Sequence, residues 1–186
     1  MTADSISARH DAAAATFAER LAGVENWDAP TPVAEWKVRD IVDHLTSWLP
    51  GFLGGVGVDF PSAESDDPVA AFAAQTRSVK KLLDAPDAGR EVVVEGMGAM
   101  PLDVLLERFY VADVFMHTWD LARATGQPDR LDEETAAGML AGMRPIEPML
   151  RASGQFGQQQ AVSPDADVTD QLVAFIGRDP NWSAAE

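Results

Sequence analysis

The chain has 186 residues, 46% hydrophobic and 24% charged, enough for one domain with a sizeable core and short for two. Thirty acidic side chains against 14 basic ones give a net charge of −16; such a surface repels a phosphate backbone, and no Lys/Arg cluster reverses it locally, so nucleic acid is not an expected partner. With no cysteine, disulfides and thiolate metal sites are excluded, any metal needs nitrogen and oxygen ligands, and a thiol nucleophile would have to come from a small molecule.

The segments read mostly as helices separated by Pro/Gly-rich joints. The first helix is expected over about 4–25, where His10, Ala13, Ala14, Phe17, Leu21 and Val24 recur on one face. Asp28-Ala-Pro30-Thr-Pro32 closes it. The second, about 37–53, carries the apolar stripe Val38, Ile41, Val42, Leu45, Leu49 and Phe52, with His44 and Trp48 toward its border. Pro50 and Gly51, Gly54, Gly55 and Gly57 then loosen the chain. Asp66-Asp67-Pro68 opens a third helix over about 68–84, an acid cap followed by proline at the first helical position.

Glu91-Val-Val-Val-Glu95 is the strand candidate, with no evident pairing partner, and Gly96-Met-Gly98 reads as a turn. The longest helix is expected over 101–125, opened by Pro101 and closed by Gly126. Its mostly apolar circumference suits a helix surrounded by others. Shorter helices follow over about 132–150, interrupted by Pro145 and Pro148, and about 168–177. Together these elements predict a mostly α, single-domain helical bundle with one short strand region. No run approaches the roughly 18 apolar residues of a membrane span, and the N-terminus lacks a basic-then-apolar leader, so a cytoplasmic protein is expected.

Asp113 and His117, at i and i+4, share a face of the longest helix, close enough to grip one ion. If the second helix packs there, His44 completes two histidines and one carboxylate, with coordination positions left open as in catalytic metal sites. Zinc, nickel or ferrous iron would accept such ligands. Asp120 is placed to orient His117 or to pair with Arg123. His10 lies on the inward face of its helix as a core or pocket residue, and the tryptophans, Trp48 among them, read as packing anchors whose indole N–H groups find acceptors. The bland alternative is a helix-surface hydrogen bond between Asp113 and His117 beside a half-buried His44.

Two blocks carry a resemblance. Trp36-Lys-Val-Arg39-Asp40-Ile-Val-Asp-His44-Leu resembles the signature of mycothiol-dependent maleylpyruvate isomerase-like proteins, which belong to the DinB-like superfamily of metal-binding four-helix bundles. Asp113-Val-Phe-Met-His117-Thr-Trp119-Asp120-Leu-Ala-Arg123-Ala-Thr-Gly126 resembles that family's metal helix, and Gln171-Leu-Val-Ala-Phe-Ile-Gly177-Arg178-Asp-Pro180 the closing segment of a short actinobacterial branch. The resemblance implies a DinB-like bundle and a divalent metal, zinc first and nickel or iron next, on His44, Asp113 and His117. It also implies mycothiol or a similar thiol as co-substrate. The isomerase itself has glutamate where this chain has Asp113, and carries a further catalytic domain for which no room follows Trp182, so maleylpyruvate isomerisation itself is not expected.

The leading expectation is a metal-dependent thiol transferase or isomerase acting on small electrophiles as a homodimer. Arg39 would steady an anionic group or pair with Asp40. The alternatives are a hydrolase using Asp40, Asp43 or Asp120 as base, and a non-catalytic metal- or ligand-binding module.

Overall fold

The computed structural model describes residues 5–63, 65–163 and 165–184. The first helix, α1 (Ile6–Ala22), starts where the Ser5 hydroxyl accepts from the Ala8 amide at 3.1 Å. It buries His10, Ala13, Ala14, Phe17 and Leu21, the stripe expected of it. It stops at Gly23, earlier than the expected 25, and the expected start at residue 4 lies outside the described residues. Val24 still packs on the core from beyond the helix end.

The second helix, α2 (Val38–Gly55), continues through Pro50 and past the expected 53. Leu45, Leu49 and Leu53 are fully buried along one side. Burial of each is worth roughly 1.5–3 kcal/mol, which together offsets the hydrogen bond that proline removes. Helix α3 (Pro68–Leu83) begins as the sequence indicates, with the Asp67 carboxylate accepting from the Val69 amide at 3.1 Å.

The strand candidate has a partner after all. Strand β1 (Glu91–Val94) pairs antiparallel with β2 (Gly98–Pro101), Glu91 opposite Pro101 and Val94 opposite Gly98. Gly96 and Gly98 take the left-handed backbone that closes so tight a hairpin. Pro101 therefore both ends a strand and stands as the cap of the helix that follows, which begins at Leu102.

The longest helix begins at Leu102 and is not a uniform α-helix. Helix α4 (Leu102–Leu106) passes through a π-helical turn (Glu107–Val111) into α5 (Ala112–Thr125). No proline or glycine marks that turn in the sequence. It ends two residues before Asp113, and such insertions recur at functional sites.

Helix α1 packs against α3 and α5, and α2 against the same two. These elements and α4 enclose the main core, which includes Phe17, Ile41, Leu45, Leu49, Val79, Leu105 and Tyr110. A second core lies on the opposite side of α5, where Phe115, Met116 and Trp119 meet Leu131, Leu140, Leu172 and Phe175. Its outer elements are α6 (Glu133–Met143), α7 (Glu147–Ala152) and α8 (Val168–Phe175). A short 3-10 turn at Arg144–Ile146 divides α6 from α7, at the first of the two prolines. Helix α5 is thus covered on both sides, which explains its unbroken buried run from Val114 to Ala122. The fold is mostly helical with one small antiparallel hairpin, in keeping with a DinB-like bundle. No helix among the described residues is long and apolar enough to cross a membrane.

Candidate metal centre

Packing of α2 on α5 brings His44 to Asp113 and His117. One nitrogen or oxygen from each lies within 4.8 Å of the other two. His44 Nε2 is 2.9 Å from Asp113 Oδ2, and His117 Nε2 is 3.4 Å from Asp113 Oδ1. The two imidazoles stand edge to face, with centroids 5.1 Å apart. Both therefore turn the same ring nitrogen toward one carboxylate, each toward a different oxygen.

The far side of His117 decides which nitrogen is free. His117 Nδ1 is 2.9 Å from Asp120 Oδ2. Asp120 is completely buried and also takes two bonds from Arg178, Nε to Oδ1 at 3.0 Å and Nη2 to Oδ2 at 3.1 Å. Burial alone would raise the Asp120 carboxyl, but the His117 bond and the Arg178 charge reverse that and hold it below the usual carboxylate range. An ionised carboxylate only accepts, so the imidazole proton belongs on Nδ1. With Nδ1 turned to Asp120, Nε2 is the nitrogen that faces the Asp113 carboxylate, and a cation seated between them would be held by both. The donor set fits a divalent ion of the zinc, nickel or iron kind, with nitrogen and carboxylate ligands only.

Two tryptophans finish the surroundings. The Trp48 indole N–H donates to Asp113 Oδ2 at 3.1 Å, fixing the carboxylate from outside. Trp36 lies nearly parallel to His117, centroids 5.7 Å apart at 18°, and tilts over His44 at 5.1 Å. Glu35, just before it, is the one described non-glycine residue with a left-handed backbone, φ 67°. That conformation is uncommon for a residue with a Cβ and is held by the Thr31–Trp36 and Val33–Trp36 backbone bonds. The side chains of His44, Asp113 and His117 are 32%, 19% and 7% exposed. The cluster is thus most open to solvent on the His44 and Asp113 side.

The other residues singled out from sequence fall as follows. Trp48 and Asp120 each touch a member of the cluster, and Asp120 bonds Arg178 rather than Arg123. Arg123 instead reaches Asp129 at 2.9 Å and the Pro180 carbonyl at 2.7 Å. Arg39 bonds Asp28 at 3.2 Å, not Asp40, whose carboxylate caps the Lys37 amide. Arg39, Asp43 and Ser47 line a surface groove of about 530 Å³ that none of the three clustered residues lines. His10 is buried beside Tyr110, centroids 6.3 Å apart, with Nδ1 3.6 Å from Asp11 Oδ1 and neither ring nitrogen within hydrogen-bond distance of a partner among the described residues. The Trp119 indole N–H, expected to find an acceptor, is buried without one among the described residues. Sequence reasoning missed Arg178 and the role of Trp36. Trp36 opens the Trp36–Leu45 block and Arg178 lies in the Gln171–Pro180 segment, but nothing in spacing joins Arg178 to a residue 58 positions earlier.

Comparison with known proteins agrees with the two sequence blocks. The profile of the mycothiol maleylpyruvate isomerase N-terminal domain matches residues 8–122. Two uncharacterized proteins of Mycobacterium tuberculosis, from strains CDC 1551 and H37Rv, are each 32% identical over 175 residues, covering 91% of this chain and 95% of theirs. No solved structure matches the chain.

Proposed function

The chain belongs to the mycothiol maleylpyruvate isomerase N-terminal domain family, and from that membership and the His44–Asp113–His117 cluster we propose a metal-dependent enzyme. It holds a divalent cation, zinc by preference, and transfers or isomerises through a low-molecular-weight thiol of the mycothiol type. The observation that carries this reading is the convergence of His117 Nε2, 3.4 Å from Asp113 Oδ1, and His44 Nε2, 2.9 Å from Asp113 Oδ2. When bound, the cation acts as a Lewis acid that lowers the pKa of an incoming thiol toward neutrality.

The chain's own residues do the rest. His44 and His117 offer Nε2, and Asp113 offers the carboxylate charge. Asp120 keeps the His117 proton on the opposite nitrogen, and the Trp48 N–H holds Asp113 in one orientation. The Trp36 ring shields the imidazoles and leaves the more open His44 side for thiol and electrophile. A net charge of −16 draws divalent cations toward the surface and suits a neutral or cationic electrophile better than a polyanion.

The test joins metal content to thiol consumption. Purified protein should carry about one metal ion per chain, lost in His44→Ala and His117→Ala, and should consume thiol with some member of an electrophile panel only when loaded. Turnover that needs no thiol would move the assignment to hydrolysis. Metal occupancy unchanged in both variants would refute the ligands.

A further inference from the structure

The matched family segment ends at residue 122, yet the contact that orients His117 is completed from beyond it. Arg178 follows α8, and its aim is set by backbone geometry. The Arg178 amide bonds the Val173 carbonyl at 2.9 Å and the Gly177 amide bonds the Ala174 carbonyl at 3.1 Å, the paired bonds of a Schellman cap with Gly177 left-handed at φ 96°. A Cβ on Gly177 would come within 2.6 Å of Gly157 Cα. The cap therefore has little freedom, and it directs the Arg178 side chain onto α5. There the guanidinium takes both oxygens of Asp120 in a two-pronged arrangement. The Arg178 side chain is 15% exposed and Asp120 fully buried.

We propose that Arg178 is a positioning residue for the metal centre: by clamping Asp120 it fixes His117 as the Nδ1–H tautomer with Nε2 turned to Asp113 and His44. This rests on the metal reading above and adds to it that the segment after residue 122 is part of the centre. Without the clamp, Asp120 keeps a single bond to a ring that can rotate or shift its proton. His117 then no longer presents a fixed lone pair. Lysine at 178 keeps the charge but cannot span both oxygens.

Arg123 provides the control. It also ties α5 to the C-terminal segment, through the Pro180 carbonyl, but its bonds reach neither Asp120 nor His117. The experiment compares wild type, R178K, R178M, the neutral pair D120N/R178Q, and R123M. The first readout needs no metal: ¹⁵N spectra of histidine-labelled apo-protein. Wild-type His117 should show a protonated Nδ1 and a bare Nε2, and R178M and D120N/R178Q a mixture of tautomers. The second is zinc affinity by competition with a coloured chelator. R178M should lose about ten- to a hundredfold, the usual range when a ligand's orienting partner is removed, and R178K less, with R123M within about twofold of wild type. Should R178M fail to fold, R178K and the neutral pair carry the same comparison, with melting curves to show that they are folded.

An unchanged His117 tautomer and unchanged zinc affinity in the Arg178 variants overturn the inference. So does an R123M loss as large as that of R178M, since the effect would then be docking of the C-terminal segment. Wild-type protein that takes up no zinc defeats the metal reading itself and this inference with it. Zinc uptake that depends on His117 but not on Arg178 defeats this inference alone.

Discussion

His117 stands between two carboxylates, Asp120 at Nδ1 and Asp113 at Nε2. Trp48 does for Asp113 what Asp120 does for His117, with one donated bond at 3.1 Å to the oxygen that also faces His44. Trp48→Phe keeps the ring and removes the donor, so metal affinity should fall about tenfold with little change in melting temperature; a titration with zinc reads it, and unchanged affinity would mean that packing alone orients Asp113. His10 presents the opposite case. Burial lowers its pKa from 6.5, only partly opposed by Asp11, so the folded protein takes up this proton less readily than the unfolded chain. As pH falls below about 6.5 the unfolded chain is protonated first, so stability is lost from there toward the lowered folded value. The slope for this one group is at most about 1.4 kcal/mol per pH unit. His10→Leu removes that term and two unbonded buried nitrogens, and should gain about 1 kcal/mol at pH 7.5. Urea unfolding at pH 7.5 and 5.5 should show the gain larger at the acid end; an equal gain at both would contradict a neutral buried His10.

At the scale of elements, local chemistry was legible and its interruptions were not. The α1 stripe, the Asp67–Pro68 start of α3 and the Gly126 end of α5 follow from side-chain spacing and caps, and the helices stand where those signals put them. The β2 strand was hidden because Gly98-Ala-Met-Pro101 has little strand propensity of its own; pairing with the valines of β1 makes it extended. The π turn was hidden for a different reason: Glu107–Val111 contains good helix formers, and only packing around them favours one extra residue in the turn. Of the site, the i, i+4 pair was visible in one helix, whereas His44 needed the packing of α2 and Arg178 needed the cap of α8. That cap gives the element-scale prediction. Gly177→Ala meets both a left-handed backbone and a backbone contact at 2.6 Å, so it should cost at least about 2 kcal/mol in denaturant unfolding. A loss below about 0.5 kcal/mol would show that the Gly157–Gly177 approach is not a fixed feature.

For the molecule as a whole, α5 is the shared wall of two cores, and two of the three clustered residues, Asp113 and His117, sit on that wall while α2 brings His44 to it. The main core positions α2 and hence His44; the second core positions α8 and hence Arg178. Changes deep in either core should therefore reach the centre through helix placement. Charge acts at the same scale, since a strongly acidic molecule without cysteine gathers hard and borderline cations but lacks a thiol of its own. The central claim is the inner ligand set, and zinc K-edge X-ray absorption on protein loaded one-to-one tests it most directly. The account predicts only nitrogen and oxygen neighbours near about 2.0–2.1 Å, with scattering from two imidazoles, and one sulfur near about 2.3 Å once a small thiol is added. Scattering from fewer than two imidazoles, or a spectrum that His117→Ala leaves unchanged, would contradict it.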